Sequence, residues 1–146
     1  MKENAPGLLV VTHGKLAGEL EKAARRIVGE VPTLSSVSLG WDDDVVDARR
    51  RVEDGIAKVA VDGRVLILTD MFGGTPSNVA LSLLEPGRVD IVTGVNLPML
   101  IKFANMSTVD GFDETVRRIA QQGRDAIQVA SEVLEKRAGP EGKPGR

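Results

Sequence analysis

The side chains best suited to chemistry lie at the ends of two apolar runs. Residues 7–14 (Gly-Leu-Leu-Val-Val-Thr-His-Gly) form the first run, and a helical pattern begins directly after Gly14. This form predicts a buried strand that carries a histidine at its carboxyl end. His13 is the only histidine, and the chain contains no cysteine. Chemistry with an imidazole near neutral pH therefore has to use His13.

A second run with the same strand-to-helix form ends in Asp70 and continues as Met-Phe-Gly-Gly-Thr-Pro-Ser. Gly73 and Gly74 allow the backbone to approach a ligand closely. Thr75-Pro76 predicts a helix N-cap followed by proline at the first helical position. Together with the hydroxyl of Ser77, the free N–H groups of such a helix start form an anion site.

A carboxylate beside an imidazole accepts from one ring N–H and leaves a lone pair on the other nitrogen. That nitrogen can bind a metal, act as a general base or attack an electrophile. A metal site would need more ligands than Asp70 supplies. The sequence has no G-x-S-x-G elbow, no G-x-x-x-x-G-K-[ST] loop and no G-x-G-x-x-G after the first strand. The remaining chemistry is that of a phosphoryl group held transiently on nitrogen.

The same residues also allow a plainer interpretation. His13 would then be a packed or capping histidine, and Asp70 a helix-entry residue. Gly73-Gly74 would be only a tight turn. From the spacing alone, both interpretations stay open.

Length and composition narrow the class of protein. The 146 residues suffice for one domain with a sizeable core and are too few for two ordinary ones. A net charge of −2 and 3% aromatic residues argue against a nucleic-acid or anionic-membrane surface. The first apolar run is too short for a signal peptide or a membrane span. We therefore expect a cytoplasmic protein without membrane insertion, and the lack of cysteine fits that location.

Alternating strand and helix patterns position the two chemical stretches. Strands are predicted at 7–13, 34–39, 64–70 and 89–94, and helices at 16–28, 45–59, 76–85, 98–104 and 112–120. The acidic cluster of residues 42–44 precedes the second helix and suits a helix N-terminus. A divalent metal site is the alternative interpretation of that cluster.

This β-α-β-α order predicts an α/β fold, a three-layer sandwich around a mainly parallel four-stranded sheet in the order 2-1-3-4. Ligands of such sheets bind at the carboxyl ends of the strands, where the strand order reverses. Strands one and three are neighbours in this order. His13 and Asp70 are therefore expected to face the same crevice.

Beyond Gly123 the pattern is ambiguous. Residues 126–130 alternate like a strand, whereas Ala126, Val129 and Val133 also fit a helix. The glycine- and proline-rich residues 137–146 are predicted to be a disordered polar tail or the stub of an interdomain linker. Residues 1–136 would then form the domain.

Three motifs resemble the mannose-family enzyme IIA component of the bacterial phosphoenolpyruvate-dependent sugar phosphotransferase system. They are Thr12-His13-Gly14, residues 70–76 (Asp-Met-Phe-Gly-Gly-Thr-Pro) and residues 94–100 (Gly-Val-Asn-Leu-Pro-Met-Leu). Each lies at the carboxyl end of a predicted strand. The resemblance spans residues 7–131, and the motifs are highly specific in this order and spacing.

The resemblance implies a phosphotransferase component in which Nε2 of His13 accepts a phosphoryl group from the phosphocarrier protein HPr, while Asp70 holds Nδ1–H. The resemblance also implies that the helix start at residues 75–77 lines the phosphoryl pocket. The recipient would be a histidine of a IIB component in sugar uptake, and neither a cofactor nor a metal is implied. The candidate phosphoryl-binding residues are Gly14, Gly73, Gly74, Thr75 and Ser77.

The resemblance also implies a homodimer in which a C-terminal antiparallel strand is exchanged between subunits, which would make residues 126–130 a strand. Two other functions stay open. One is a regulatory switch, in which a partner protein reads the phosphorylation state of His13. The other is a dimeric structural domain in which His13 is silent.

Residue 71 departs from the family pattern. Many members have a small hydroxyl residue directly after the aspartate, and this chain has Met71. A methionine cannot donate a hydrogen bond to phosphate. Either the phosphoryl group is held less tightly, or Thr75 compensates.

We predict that Thr75→Val slows phosphoryl transfer or shortens the lifetime of the phosphohistidine, because the substitution removes the hydroxyl and keeps the shape. Both quantities are measured by following the acid-labile phosphoryl group over time. Unchanged rates and lifetime would contradict this role of Thr75.

Overall fold

The computed structural model describes residues 2–142, in which strands and helices alternate through most of the chain. None of the helices within these residues is both long and apolar enough to cross a bilayer. The elements are β1 (Glu3–Asn4), β2 (Gly7–His13), α1 (Leu16–Val28), β3 (Leu34–Leu39), α2 (Val45–Val59), β4 (Val65–Thr69), α3 (Gly74–Leu81), β5 (Val89–Thr93), α4 (Leu97–Ala104), β6 (Thr108–Val109), α5 (Phe112–Asp125) and α6 (Ala130–Gly142).

Four parallel strands form the central sheet in the order β3-β2-β4-β5. Counted along the chain without the short β1, this is the predicted order 2-1-3-4, so the α/β fold class is confirmed. The register places His13 beside Leu39 and Val11 beside Thr69. The carboxyl ends of β2, β3 and β4 therefore meet at one edge of the sheet.

The sheet separates two apolar cores, one on each face. In β2, Leu8 and Val10 belong to the core that α1, α4 and α5 cover, whereas Leu9 and Val11 belong to the core that α2 and α3 cover. All four side chains are fully buried. Burial of each contributes about 1.5–3 kcal/mol. Because both faces are covered, the strand is apolar at successive positions and its end is held in a fixed place.

A small antiparallel ribbon of β1 and β6 lies apart from the main sheet. The sequence pattern does not predict it, because two-residue strands carry no periodicity. The largely buried Arg64 anchors the ribbon by donating to the Glu3 carboxylate and to the Asn4 carbonyl, both at 2.7 Å. Since Arg64 directly precedes β4, the ribbon lies at the amino end of the sheet, opposite the edge that carries His13.

Helix α3 differs from its prediction at both ends. It begins at Gly74 with Gly73 as its N-cap, so the prediction that Thr75 is the N-cap is wrong. Gly73 and Gly74 have φ values of 94° and 83°, which glycine adopts without steric cost. This sharp entry starts the helix before Thr75. The helix ends at Leu81, because the chain then turns back so that Glu85 and Val89 pair through their backbones.

The C-terminal segment is not a strand in this chain. Residues 127–129 belong to no ladder, and α6 begins at Ala130. A strand needs a partner for its backbone N–H and C=O groups, and no strand within residues 2–142 pairs with this segment. Strand exchange with a second copy stays a prediction. Helix α6 also covers the start of the predicted polar tail, and residues 143–146 lie outside the described part of the chain.

Candidate functional site

The side chains of His13, at the end of β2, and Asp70, directly after β4, meet at the carboxyl edge of the sheet. Nδ1 of His13 lies 2.8 Å from Oδ2 of Asp70, and the backbone N–H of His13 donates to the same oxygen at 3.1 Å. The other carboxylate oxygen, Oδ1, accepts the backbone N–H of Met71 at 3.0 Å. Two backbone donors therefore hold the carboxylate in the orientation in which it faces the imidazole.

The hydrogen bond to Asp70 assigns the tautomer of His13. An ionised carboxylate only accepts, so the proton of the neutral imidazole lies on Nδ1 and the lone pair lies on Nε2. The His13 side chain is 19% exposed. It is enclosed on most sides and still reachable from solvent. A fixed imidazole with a free nitrogen of this kind serves as a nucleophile or a general base.

Burial and hydrogen bonding act in opposite directions on Asp70, whose side chain is 16% exposed. Partial burial raises the pKa of the carboxyl, but the hydrogen bonds from the ring and the backbone N–H of His13, together with the charge of a protonated His13, outweigh it. The pKa of Asp70 therefore lies below its ordinary value of 3.8. At neutral pH the carboxylate is ionised and accepts the Nδ1 proton.

The loop before α3 passes close to the reactive edge of the imidazole. A Cβ atom placed on Gly74 would lie 2.8 Å from Nε2 and 3.0 Å from Cε1 of His13. The positive φ of Gly74 also disfavours other residues. Gly74 is therefore needed at this position for two reasons, since a side chain would be strained and would crowd the lone pair on Nε2.

The other candidate phosphoryl-binding residues differ in what they can offer. The hydroxyl of the buried Ser77 accepts the backbone N–H of Gly73 at 2.7 Å and donates to the Gly74 carbonyl at 3.4 Å, so it braces the loop. The N–H of Gly14 donates to the Leu39 carbonyl at 2.7 Å. The half-buried Thr75 makes no side-chain hydrogen bond within residues 2–142, so its hydroxyl is available to a ligand.

Trp41 belongs to the site although the sequence patterns do not single it out. Its indole stacks on the imidazole of His13 with ring centroids 4.8 Å apart and an interplanar angle of 19°. One sequence signal does point to it. Trp41 is the only tryptophan, and it follows the strand predicted to lie beside the strand of His13, so it emerges at the same edge of the sheet.

Large apolar side chains are exposed at this same end of the sheet. Met71 and Phe72 follow Asp70, and Val45 and Val46 begin α2 a few residues after Trp41. Exposed apolar residues grouped around a crevice are typical of a surface that contacts another protein.

The acidic side chains after β3 accept hydrogen bonds from nearby backbone N–H groups. The Asp44 side chain accepts the N–H of Asp47 at 3.2 Å and caps α2, which confirms the capping interpretation. Asp43 accepts the N–H of Gly40 at 2.6 Å and pairs with Arg51 at 3.0 Å. These bonds fix the turn that carries Trp41.

Solved structures with the same fold define the class of protein. The mannose/sorbose specific IIA subunit of the phosphotransferase system from Enterococcus faecalis matches with a TM-score of 0.76 at 30% identity, over 85% of this chain and 93% of that chain. The PTS IIA protein associated with the fucose utilization operon of Streptococcus pneumoniae matches with a TM-score of 0.75 at 27% identity, over 92% and 99%. The class is that of the IIA components of the sugar phosphotransferase system (PTS).

Sequence relatives agree with this class. The PTS system fructose-specific EIIA component of Bacillus subtilis is 28% identical over 130 residues, which cover 88% of this chain and 89% of that protein. The PTS system mannose-specific EIIAB component of Escherichia coli is 29% identical over 140 residues, and the match spans only 42% of its length. Residues 7–120 match the model of the EIIA-man family, described as PTS system fructose IIA component, and the chain belongs to this family.

Asp70→Asn tests the electrostatics of the pair. The pKa of Asp70 is lower in the folded chain than its ordinary value of 3.8. The ionised carboxylate therefore stabilises the fold fully above pH 3.8, and this stabilisation is lost as the pH falls through the pKa of the folded state. We expect the variant to be less stable than the original chain at neutral pH by about 1 kcal/mol, and the difference to shrink as the pH falls below 3.8. Urea unfolding followed by circular dichroism measures it.

The control for this experiment is Asp54→Asn. Asp54 is exposed on α2 and makes no side-chain hydrogen bond or ion pair within residues 2–142, so the substitution should change the unfolding free energy little at any pH. A difference for Asp70→Asn that persists in acid would contradict the electrostatic account.

Proposed function

We propose that this chain is a phosphohistidine relay of the sugar phosphotransferase system, in which His13 accepts a phosphoryl group from HPr and passes it to a IIB component. The observation that carries the proposal is the 2.8 Å contact between Nδ1 of His13 and Asp70. It leaves Nε2 as the free nucleophile at the carboxyl edge of the sheet, beside the start of α3.

The chemistry is a direct exchange of one bond for another. The lone pair on Nε2 of neutral His13 attacks the phosphorus of phospho-HPr. The Nε2–P bond forms as the bond between phosphorus and the donor atom breaks, and the electron pair of that bond returns to the donor. The Nδ1 proton stays on His13, and the Asp70 carboxylate balances the positive charge that the ring acquires. Transfer to IIB repeats this exchange with His13 as the leaving group.

In this proposal the start of α3 stabilises the phosphoryl oxygens. The first N–H groups of a helix have no intrahelical acceptor, and the helix dipole favours an anion there. Gly74 brings this backbone against the Nε2 edge of His13, and the free hydroxyl of Thr75 lies one residue further. Each hydrogen bond to a charged oxygen contributes about 1.5–3 kcal/mol. In this proposal Ser77 acts indirectly, by holding the Gly73-Gly74 backbone.

The relatives favour the relay over the regulatory switch, because those reported above are named as components of a sugar phosphotransferase system. Their names refer to different sugars, fructose in one and mannose in another. The proposal therefore concerns the reaction and its protein partners and does not name a sugar.

A homodimer is part of the same proposal. β5 is an edge strand of the sheet, so one side of its backbone lacks a strand partner within residues 2–142. The unpaired segment 127–129 carries Ile127 and Val129 in exposed positions. A second copy could cover these side chains and supply the missing ladder.

The direct test combines the purified chain with phosphoenolpyruvate, enzyme I and HPr, followed by intact-mass measurement and peptide mapping under mildly basic conditions. We expect one acid-labile phosphoryl group on His13, absent from His13→Ala. A known IIA acceptor, phosphorylated in parallel, shows that the donor chain is active. No added mass on this chain in that mixture would refute the relay.

Gly74→Ala tests the access to Nε2. The new Cβ would lie 2.8 Å from Nε2, so we expect the rate of phosphorylation by phospho-HPr to fall about a hundredfold, as misplacement of a reacting group does. Gly73→Ala is the matched control. It shares the positive φ and its strain, but its Cβ meets no atom within 4 Å. Equal rates for the two variants, at equal thermal stability, would contradict a role of Gly74 in access.

A further inference from the structure

We propose that Trp41 is a positioning residue for His13, whose stacked indole holds the imidazole in the orientation that directs Nε2 at the phosphoryl donor. The inference rests on the proposed function for its kinetic part. Its structural part is independent of any phosphoryl transfer.

The geometry around the imidazole motivates the proposal. Asp70 holds the ring at Nδ1, and Gly74 lies against the edge formed by Nε2 and Cε1. A single hydrogen bond at Nδ1 restrains the ring but still allows its plane to tilt. The indole of Trp41, 4.8 Å away and inclined by 19°, covers one face and opposes this movement. Together the three contacts define both the position and the tilt of Nε2.

Hydrogen bonds and an ion pair hold the turn that carries Trp41 in place. Asp43 accepts the N–H of Gly40 at 2.6 Å, and Arg51 binds both the Asp43 carboxylate at 3.0 Å and the Ser38 carbonyl at 2.8 Å. Gly14 lies next to the indole, since a Cβ placed there would be in ordinary van der Waals contact, at 3.6 Å, with Nε1 of Trp41. The indole is thus held on the imidazole although it is 78% exposed.

The stack also suits the charge that develops on His13. The ring becomes cationic when Nε2 binds phosphorus while Nδ1 keeps its proton, and the face of an indole attracts a cation. Trp41 therefore stabilises the phosphorylated, cationic ring more than the neutral one. Loss of the indole should slow the transfer and shorten the lifetime of the phosphohistidine.

The structural part is tested by proton NMR of the chain without any donor. His13 is the only histidine, so the two carbon-bound protons of its ring give the one set of histidine ring resonances in the spectrum. A stacked indole shifts such resonances upfield. We expect the upfield shift to be lost in Trp41→Ala, partly kept in Trp41→Phe and unchanged in Phe72→Ala, the control for an exposed aromatic at the same end of the sheet. Unchanged His13 resonances in Trp41→Ala would overturn the proposal.

The kinetic part is tested by measuring how fast phospho-HPr phosphorylates Trp41→Ala, Trp41→Phe and the unsubstituted chain. We expect the maximal single-turnover rate, reached at saturating phospho-HPr, to fall about three- to tenfold in Trp41→Ala, the scale of one lost aromatic contact, with partial recovery in Trp41→Phe and a shorter phosphohistidine lifetime in the isolated protein. If Trp41 instead only contacts the donor protein, the phospho-HPr concentration that gives half of the maximal rate rises, while the maximal rate and the lifetime stay unchanged. That result would overturn the positioning role.

The two proposals fail in different ways. If the original chain is never phosphorylated, the proposed function fails, and the kinetic part of this inference fails with it. If the unsubstituted chain is phosphorylated and Trp41→Ala matches it in maximal single-turnover rate and in phosphohistidine lifetime, only the role of Trp41 is refuted.

Discussion

The hydrogen bond between Nδ1 of His13 and Asp70 is the interaction on which the site depends. It fixes the tautomer of the imidazole and supplies the negative charge beside it. The bond exists because β2 and β4 are neighbours in a parallel sheet, although 57 positions separate the two residues in the sequence. The two buried cores hold those strands in register. The packing of both cores therefore helps to keep the two side chains within hydrogen-bonding distance.

The loop before α3 is subject to a second constraint: its backbone has to lie close to Nε2 of His13 without blocking that nitrogen. Backbone N–H groups are useful to an anion only if they lie near the nitrogen that carries it, and any side chain at Gly74 would occupy that space. Glycine satisfies both demands and costs backbone entropy in return. The hydroxyl of Ser77 accepts the N–H of Gly73 and donates to the Gly74 carbonyl, and these bonds limit the mobility that two consecutive glycines would otherwise have.

The sequence predicts the sheet and its order well, because continuous apolar runs such as residues 64–70 are recognisable and the alternation of strands with helices leaves few arrangements. The proximity of His13 and Asp70 follows from that order. Features that depend on local geometry or on distant contacts are harder to predict. The start of α3 before Thr75 depends on the backbone angles of two glycines. The β1–β6 ribbon depends on one arginine, and the contact of Trp41 depends on how a turn is braced.

The stacking of Trp41 on His13 has a spectroscopic consequence. The chain contains one tryptophan and no tyrosine, so nearly all of its intrinsic emission arises from an indole that is stacked on the imidazole. Indole emission responds to a neighbouring charge. A change in the protonation or substitution of this one histidine is thereby converted into an optical signal from the unlabelled protein, and the occupancy of the site can be followed in real time.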